Sequence, residues 1–454
     1  MSKQFNRRDF LKTTTIAGFG AIAAGTAITG CTDQLFHPGQ ANMIGYRAKP
    51  VDRIRMAFIG VGSQGSSHVR NFLKIENVEI KAVCDIIESK VGRIQKWVQE
   101  AGGRKPEGYS RGEFDFKRMC QRDDLDLVFI STPWRWHVPM CLEAMNTGKH
   151  AAVEVPAAIT IDECWQLVVT SEKTQRHCVM MENCCYDRIE LMILNMVRQG
   201  VLGELTNAEC GYLHDLREVK FDNQGEGLWR RAHSITRNGD LYPTHGLGPV
   251  AQCMNINRGN QFDYLVSMAT KTRGLNIYSE KRFGADSPQA KEKYVLGDIV
   301  TSMIRTANGE TIIFQHDTNS PRPYSRDILV QGTKGIIRKY PKTRVHIEGI
   351  SEPHRWDDVD NYLEQYDHPL WKSMEKRSKG AGHGGMDFIE DYRLIECLRK
   401  GLPTDMDVYD AAAWSVVSEL SERSIAAGSK PMKFPDFTRG KWKQAKPLQI
   451  DNMT

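Results

Sequence analysis

The spacing of hydrophobic residues changes near residue 185. Before it, short continuous apolar runs alternate with stretches whose apolar residues recur at helical spacing, which is typical of buried parallel strands joined by helices. After one long helical stretch at 186–199, most segments are short strand-like runs separated by turn residues such as Asn308-Gly309. The pattern predicts an α/β chain: an N-terminal doubly wound parallel sheet, then an α+β domain with an open, mainly antiparallel sheet.

The individual elements follow from these runs. In the first half we expect strands at 54–59, 126–133, 150–156 and 178–183, and helices at 88–101, 138–147 and 161–174. In the second half we expect strands at 205–214, 264–272, 299–306, 311–318, 327–331, 335–339 and 344–348, then helices at 387–399 and 408–427.

A glycine motif follows the first apolar run. Residues 54–59 lead into Gly60, Gly62 and Gly65, spaced G-x-G-x-x-G, and a helical stretch and a second apolar run then end at Asp85. In a dinucleotide-binding unit these glycines allow a tight turn, let the backbone approach the pyrophosphate, and let the helix pack on the strand. An acid about 20 residues further on holds the ribose hydroxyls of NAD and would repel the 2′-phosphate of NADP. The motif predicts NAD as the cofactor.

The N-terminus carries an export signal. Arg7-Arg8 precedes a small-residue apolar stretch, residues 13–29, that is too short and too rich in Gly and Thr for a stable membrane span. The Ile-Thr-Gly ending before Cys31 resembles a bacterial lipobox. We expect export by the twin-arginine machinery to the periplasm or cell envelope, with a lipid anchor at Cys31; plain cleavage to a soluble periplasmic protein is the alternative. The expected divisions are a signal at 1–30, a surface tether at 31–52, an NAD-binding Rossmann domain at 53–185 and a substrate domain at 186–454.

The export signal bears on the chemistry. The twin-arginine route carries folded proteins, so the chain would take up its dinucleotide in the cytoplasm and leave with it. Because there is no NAD pool outside the inner membrane, the cofactor would have to be regenerated in place. Either the same substrate is oxidised and then reduced again, or a second substrate returns the hydride.

Charge and cysteine content exclude other classes of function. The net charge is +5, and residues 1–30 contribute +3 of it, so the rest of the chain is near neutral, which argues against nucleic-acid binding. The eleven cysteines form no C-x-x-C pair and no Cys/His cluster with zinc spacing, so we predict no metal site.

The order of elements and two turn motifs resemble the Gfo/Idh/MocA dehydrogenase-like proteins over residues 53–430. In that family a Glu-Lys-Pro turn supplies a catalytic lysine, and an Asp lies four residues before a His. Here the turn is Glu154-Val155-Pro156, and Leu241 stands four residues before His245. Both dehydrogenase signatures are thus altered while the glycine motif is intact.

The altered motifs resemble glycoside hydrolase family 109. They read S-T-P-W-R-W-H-V-P, V-E-V-P-A, E-N-C-C-Y, W-R-R-A-H, L-Y-P-T-H-G-L-G-P and N-S-P-R-P-Y-S-R. The resemblance implies an NAD-dependent α-N-acetylgalactosaminidase acting on glycans that end in that sugar. It also implies oxidation at C3 of the sugar, elimination across C1 and C2, addition of water and re-reduction, with no net redox change, an exception to the two-carboxylate scheme of most glycosidases.

The resemblance also implies roles for individual residues. The expected cofactor-binding residues beyond the glycines and Asp85 are Ser63, Gln64, Trp134, Arg135, Trp136, His137, Glu154, Val155, Asn183 and Tyr242. The expected sugar-binding residues are Tyr212, Arg231, Tyr242, Pro243, Thr244, His245 and Tyr324. For acid–base catalysis we expect His245 and Tyr242, with Tyr186 next. A neutral imidazole accepts a proton near pH 7, and a tyrosine beside the positive nicotinamide ionises more easily.

Several alternatives stay open. The protein could be a periplasmic sugar oxidoreductase with a captive cofactor, or a glycan-binding protein without catalysis. Tyr186 could simply pack at the start of its helix, and either Arg230 or Arg231 could bind the sugar. Gly382-His383-Gly384-Gly385 is predicted as a flexible loop before a helix, with closure over the site as the alternative. The exposed face of the antiparallel sheet could pair in a homodimer.

Overall fold

The computed structural model describes residues 41–448 and 450. The predicted export signal and Cys31 therefore lie outside the described residues. Residues 41–52, expected to belong to a surface tether, instead lie against the folded chain. Met43 is buried and its amide donates to the Tyr409 hydroxyl (3.1 Å), and the Tyr46 hydroxyl donates to the Gln175 carbonyl (2.9 Å). The tether at 31–52 stays a prediction as a division of the chain, and the apolar side chains of its described part pack on the folded chain.

The first sheet has six parallel strands in the order β3-β2-β1-β4-β5-β6. The strands are β1 (Ile54–Ile59), β2 (Val78–Cys84), β3 (Glu107–Tyr109), β4 (Leu127–Ile130), β5 (His150–Val153) and β6 (Cys178–Met180). The direction of winding reverses between β1 and β4. In such sheets ligands bind outside the carboxyl ends of the strands at this reversal.

Helices cover both faces of this sheet, which is why its strands read as continuous apolar runs. The connecting helices are Ser63–Phe72, Glu88–Glu100, Asp115–Cys120, His137–Asn146 and Ile161–Thr174, with short 3-10 turns at Trp134–Trp136 and Asn183–Tyr186. Two helices from the end of the chain return to this sheet. Met386–Lys400 packs with Ser63–Phe72 on one face, and Val408–Ser415 packs beside Ile161–Thr174 on the other.

The second sheet has nine strands in the order β14-β13-β12-β11-β7-β10-β9-β8-β15. Its strands are β7 (Leu205–Leu213), β8 (Phe262–Ala269), β9 (Ile299–Thr306), β10 (Thr311–Asp317), β11 (Leu329–Gly332), β12 (Gly335–Arg338), β13 (Arg344–Ile347), β14 (Asp357–Asp358) and β15 (Met432–Lys433). Every named pair is antiparallel except β7 with β10. Burial alternates along β9, so one face packs on the core and the other is open.

The remaining helices connect and cover this sheet. They are Arg188–Arg198, Arg217–Lys220, Gly227–Thr236, Thr244–Cys253, Gly274–Phe283, Pro288–Lys291, Asp360–Tyr366, Pro369–Ser378 and Val417–Ala426, with 3-10 turns at Gly382–Gly385 and Lys441–Gln444. No helix within the described part of the chain is both long and apolar enough to cross a membrane.

The predicted fold class is confirmed, with local corrections. The helix expected at 186–199 begins at Arg188, because the Asp187 side chain caps it by accepting from the Ile189 amide (3.2 Å). The helix expected at 408–427 is two helices that meet at Val416, since the first packs on the parallel sheet and the second on β8. The domain boundary at residue 185 stays a prediction, because the largest buried cluster runs through both sheets.

Candidate active site

The glycine turn after β1 leaves room for a phosphate group. A Cβ on Gly60, whose φ is +81°, would lie 2.3 Å from the Ser131 carbonyl oxygen, and one on Gly65 would lie 2.1 Å from the Gly60 oxygen. A Cβ on Gly62 would meet nothing within 4 Å. Gly60 and Gly65 therefore allow close backbone packing, while Gly62 faces open space at the edge of the sheet. This is the arrangement that lets a pyrophosphate approach the backbone.

The surrounding charges fit a dinucleotide. Ser63 begins the helix Ser63–Phe72, whose first turn has no acidic residue and no side-chain cap, so its amide groups are available to an anion. At the end of β2, the Asp85 carboxylate accepts from the amides of Val61 and Ile87, both at 2.9 Å. These bonds fix the carboxylate beside the glycine turn and leave lone pairs for ribose hydroxyls. The residues present thus fit NAD.

The segment after β4 contributes one residue to the interior of the site and two to its rim. Trp134 is buried, whereas Trp136 packs edge-on against Phe114, with ring centroids 5.6 Å apart. The Arg135 guanidinium is exposed and lies 3.6 Å from the Glu113 carboxylate.

His137 connects two turns at the edge of the sheet. Its Nδ1 lies 2.8 Å from the Pro156 carbonyl oxygen and its Nε2 lies 2.8 Å from that of Thr132. Burial lowers the pKa of His137. Because both ring nitrogens contact backbone oxygens, neither is left for the cofactor. The expected cofactor contact of His137 therefore lacks a free ring nitrogen, and the side chain instead holds the Glu154-Val155-Pro156 turn beside the end of β4.

Aromatic side chains from both halves of the chain meet next to this edge. The Tyr242 ring stacks on Trp134 at a centroid distance of 5.6 Å, and it lies 4.5 Å from the Tyr212 ring and 4.8 Å from that of His245. The Arg230 guanidinium lies 5.0 Å from the Tyr242 ring centroid and 5.1 Å from that of Trp134. We call Trp134, Tyr212, Arg230, Tyr242 and His245 the aromatic cluster. It brings predicted cofactor and sugar residues together.

A buried carboxylate orients His245. The His245 Nδ1 lies 2.7 Å from Oε1 of Glu182, which follows β6 and is fully buried. Burial would raise the pKa of Glu182, but His245 lowers it below its ordinary value, so the carboxylate stays ionised. Nε2 of His245 has no hydrogen bond within the described residues. A histidine held through one nitrogen by a carboxylate, with the other nitrogen free, is suited to general acid–base catalysis.

Pro243 and Thr244 position this histidine. Pro243 precedes the helix Thr244–Cys253, and Thr244 is fully buried in its first turn. They place His245 at the end of the helix that faces Glu182.

The tyrosines of the aromatic cluster are not readily ionised by the protein alone. Burial raises the pKa of Tyr242 well above its ordinary value, although Arg230 opposes the shift, and burial raises the pKa of Tyr212 to about 12. The expectation that Tyr242 ionises easily depends on the bound nicotinamide and stays a prediction. A lowered pKa for this residue would require the positive charge of the nicotinamide.

Arg230, and not Arg231, belongs to the aromatic cluster. Adjacent residues on a helix point about 100° apart. In the helix Gly227–Thr236, Arg230 is buried against the aromatic rings and paired with Glu226, whereas the Arg231 guanidinium lies over the Phe221 ring (5.5 Å), in a separate apolar cluster. Sugar binding by Arg231 stays a prediction; of the two arginines, Arg230 is the one that contacts the aromatic rings.

Tyr186 and Tyr324 occupy different surroundings. Tyr186 ends the turn before its expected helix, and its buried hydroxyl donates to Asp405 (3.0 Å) beside Arg393. We therefore leave Tyr186 out of the acid–base groups. Tyr324 is half-exposed, its ring centroid is 6.4 Å from that of Tyr212, and its hydroxyl accepts from Arg326 (3.2 Å). Tyr324 thus borders the aromatic cluster.

Glu154 and Asn183, two predicted cofactor-binding residues, contact a histidine and a carboxylate that the sequence motifs do not indicate. Glu154 Oε1 lies 2.7 Å from Nε2 of His68, whose Nδ1 lies 2.8 Å from Asp391. Asn183 donates to Asp387 (2.7 Å). Glu182 lies in the E-N-C-C-Y motif, so the sequence could have indicated it. The other partners, His68, Asp391 and Asp387, lie far away in sequence from the residues they contact, and no local pattern indicates them.

Comparisons with known proteins agree with the fold. A family model described as "Oxidoreductase family, NAD-binding Rossmann fold" matches residues 54–182, and one described as "Glycosyl hydrolase 109, C-terminal domain" matches residues 186–444. Among solved structures, levoglucosan dehydrogenase in complex with NADH superposes with a TM-score of 0.67 at 17% identity, covering 84% of this chain and 99% of that chain. Aldose-aldose oxidoreductase from Caulobacter crescentus gives a TM-score of 0.61 at 17% identity, covering 84% of this chain and 100% of that one. At these identities the likeness shows the fold alone.

The fold and site define an NAD-binding protein with a Rossmann sheet joined to a second, mainly antiparallel sheet. Two full-length relatives narrow the class. Each is named Glycosyl hydrolase family 109 protein and is 48% identical: one from Solibacter usitatus (strain Ellin6076) over 98% of this chain and 99% of its own, the other from Shewanella baltica (strain OS185) over 98% of each. The chain belongs to glycosyl hydrolase family 109, and it is an NAD-dependent glycoside hydrolase.

Proposed function

We propose that this protein releases terminal α-linked N-acetylgalactosamine from glycans with an NAD molecule that it keeps bound, and without net redox change. The observation that carries the proposal is the position of His245. Its ring lies 4.8 Å from Tyr242, which stacks on Trp134 beside the carboxyl edge of the NAD-binding sheet, and Glu182 holds its other side. An acid–base group thus lies beside the edge of the sheet where NAD binds. Removal of a hydride from a sugar carbon needs such a group to accept the proton of the hydroxyl on that carbon.

The sugar chemistry balances without an outside oxidant. When bound, NAD supplies an acceptor that takes the hydride from C3 of the sugar and later returns it. A ketone at C3 makes the C2 proton acidic, so a base removes it and the C1–O bond breaks to release the aglycone as an alcohol. Water then adds its oxygen at C1, and a proton returns to C2. The sum is glycoside plus water giving sugar plus alcohol.

The protein's own groups move the protons in this scheme. His245 accepts the C3 hydroxyl proton through its free Nε2, and the Glu182 carboxylate stabilises the resulting imidazolium. Tyr242 is the second acid–base group, and Arg230 lies over its ring (5.0 Å), where a positive charge favours the phenolate. Trp134 and Tyr212 flank Tyr242, with ring centroids 5.6 Å and 4.5 Å from it, and offer an apolar surface for the sugar beside the acid–base groups.

We further propose that the enzyme acts outside the cytoplasmic membrane. The twin-arginine segment at Arg7-Arg8 and the lipobox-like ending before Cys31 support export of the folded protein to the periplasm or cell envelope, with a lipid anchor. Because the hydride goes back to the same sugar, NAD is regenerated in each turnover, and no pool of free NAD is needed in the periplasm or cell envelope.

The proposal is tested with purified protein and no added NAD. A chromogenic α-N-acetylgalactosaminide is supplied, and aglycone release and cofactor absorbance are followed together, with the α-N-acetylglucosaminide as the control for sugar specificity. We expect many turnovers of release per protein without accumulation of NADH. Formation of a sugar acid or alditol without aglycone release would identify a sugar oxidoreductase instead, and binding without turnover would leave a glycan-binding protein.

A further inference from the structure

The turn Gly382–Gly385 holds an exposed histidine in a tightly defined conformation. His383, Gly384 and Gly385 all have positive φ, at 48°, 74° and 107°. The left-handed region is uncommon for residues other than glycine, and it is found where the surrounding structure requires it. The sequence predicts a flexible loop here; in the structure these residues form a compact turn whose histidine side chain is 54% exposed.

A buried carboxylate fixes the direction of this imidazole. The Nδ1 of His383 lies 2.8 Å from Oδ2 of Asp387, which is fully buried one helical turn later. A Cβ on Gly382 would lie 2.5 Å from the same carboxylate oxygen, so only glycine lets the turn approach this closely. Nε2 of His383 has no hydrogen bond among residues 41–448 and is directed by the Asp387 contact.

The same carboxylate links the turn to two predicted NAD-binding segments. Asp387 accepts from Asn183, which follows β6 (2.7 Å), and from Gln64 of the glycine turn (3.4 Å). Gly382 also lies close to Ser67, on the helix that starts at the glycine turn. His383 is therefore held at the NAD edge of the parallel sheet, between the glycine turn and the end of β6. Within the described residues it has no ring contact with the aromatic cluster.

We propose that His383 is an NAD-binding residue, presented by the turn Gly382–Gly385 and oriented by Asp387 so that Nε2 donates to the pyrophosphate of the cofactor. With Nδ1 engaged by Asp387, only the protonated ring has a second N–H to donate through Nε2. The hydrogen bond to Asp387 raises the pKa of His383 above its ordinary value, which favours this form. A charged donor on a phosphate group is among the stronger hydrogen bonds in proteins. The contact would help the protein keep its cofactor after export.

The inference rests on NAD binding and not on the proposed glycosidase reaction, so the test reads the cofactor itself. In the full chain, His383→Asn removes the charged donor and keeps a residue that tolerates positive φ. The matched control is His354→Asn, because His354 is an exposed histidine with a φ of 63° in the loop between β13 and β14. For each protein, the NAD content after purification and the rate of NAD loss in the presence of an NAD-degrading enzyme are measured.

We expect His383→Asn to lose NAD about 10- to 100-fold faster than the natural protein and to be purified with less of it, because a hydrogen bond to a charged group is lost. Asp387→Asn should show a smaller increase in the same rate, and His354→Asn should match the natural protein. Circular dichroism and gel filtration report whether the variants keep their fold. NAD content and release of the folded His383→Asn protein within twofold of the natural values would overturn the proposal. So would unchanged NAD retention combined with a raised KM for the sugar.

Discussion

Two histidines, His68 and His245, both contact buried carboxylates, but they differ in the number of ring nitrogens that are occupied. His68 is almost fully buried, with Nδ1 2.8 Å from Asp391 and Nε2 2.7 Å from Glu154. Among the described residues, His245 has only Nδ1 engaged, 2.7 Å from Glu182, and its side chain is 15% exposed. A histidine with both nitrogens occupied holds segments together, whereas one with a free nitrogen can exchange a proton with a substrate.

The environment of His68 shows what it holds. It lies on the helix Ser63–Phe72 after the glycine turn, Asp391 lies on Met386–Lys400, and Glu154 lies in the turn after β5. Asp391 also accepts from Asn71 (2.9 Å). Burial alone would lower the pKa of His68, but Asp391 and Glu154 raise it well above its ordinary value. The charged imidazole thus joins three segments around the NAD site.

The largest effect should come from the histidine with the free nitrogen. His245→Asn removes the general acid–base group and keeps a donor for Glu182. We expect kcat on an α-N-acetylgalactosaminide to fall about 10²- to 10⁴-fold. The loss in unfolding free energy should be about 1 kcal/mol. His346→Asn, on β13, is the control and should keep full activity. Activity of the His245 variant within tenfold of the natural protein would remove His245 from the mechanism.

At His68, whose two ring nitrogens are both engaged, we expect the larger loss of stability. His68→Leu leaves Asp391 and Glu154 without their common partner in a buried site, and breaking a buried ion pair in this way costs about 3–5 kcal/mol. Urea unfolding of the two histidine variants measures the contrast directly. If His68→Leu is less destabilised than His245→Asn, the distinction between the two histidines is wrong.

We expect a smaller effect on kcat/KM at Arg230, and almost none at its neighbour Arg231. Arg230→Lys removes a planar guanidinium from over the Tyr242 and Trp134 rings, whereas Arg231→Lys changes a residue that packs on Phe221. Arg and Lys are not equivalent at stacked sites. We expect kcat/KM to fall about 10- to 30-fold for Arg230→Lys, in line with about 1.4–2 kcal/mol for a desolvated cation–π contact. Arg231→Lys should stay within about twofold, because its cation–π contact with Phe221 lies outside the aromatic cluster. Equal effects at both positions would contradict the assignment of Arg230 to the aromatic cluster.

We expect the free energy of unfolding to depend on pH through the ionisation of His68 and the groups around it. The pKa of His68 is raised well above its ordinary value, and burial raises that of Asp391 to about 6, so both groups keep a proton in the folded state at pH values where the unfolded chain has lost it. Their contribution is full at low pH and is lost as the pH rises through these raised values. Glu154, Asp387, Glu390 and His383 are the other titratable groups in this network.

Between pH 6.5 and 9 we therefore expect unfolding free energy to fall more steeply in the natural protein than in His68→Leu. The difference in slope is at most one proton, about 1.4 kcal/mol per pH unit. Urea unfolding at several pH values measures both slopes. Parallel slopes would mean that His68 is not protonated in the folded protein.

Local sequence patterns predicted much of the fold. The strand at 54–59 and the helix at 161–174 were predicted with their observed ends, because continuous apolar runs and helical spacing report burial directly. The turn and helices between β7 and β8 were not predicted, since this region lacks a clear apolar period. Gly227–Thr236 lies there, so the sequence could not show which of Arg230 and Arg231 faces the aromatic rings.

The partners of the site residues were harder to predict. Glu182 and His245 are 63 residues apart, and His68 and Asp391 are 323 residues apart. Such pairs form only when sheet edges and a returning helix bring them together, and a single sequence carries no local trace of that packing. The motif positions suggested a role for His245, but the structure was needed to show which of its nitrogens is free.

In the proposed reaction the sugar is oxidised at C3 and loses its C2 proton, the C1–O bond to the aglycone breaks, and water then adds at C1. The most direct measurement is hydrolysis of an α-N-acetylgalactosaminide in D₂O by the natural protein with its bound NAD, followed by mass spectrometry and NMR of the released sugar. We expect one solvent-derived deuterium at C2 of the released sugar. Release of N-acetylgalactosamine that keeps its original hydrogen at C2 would contradict it.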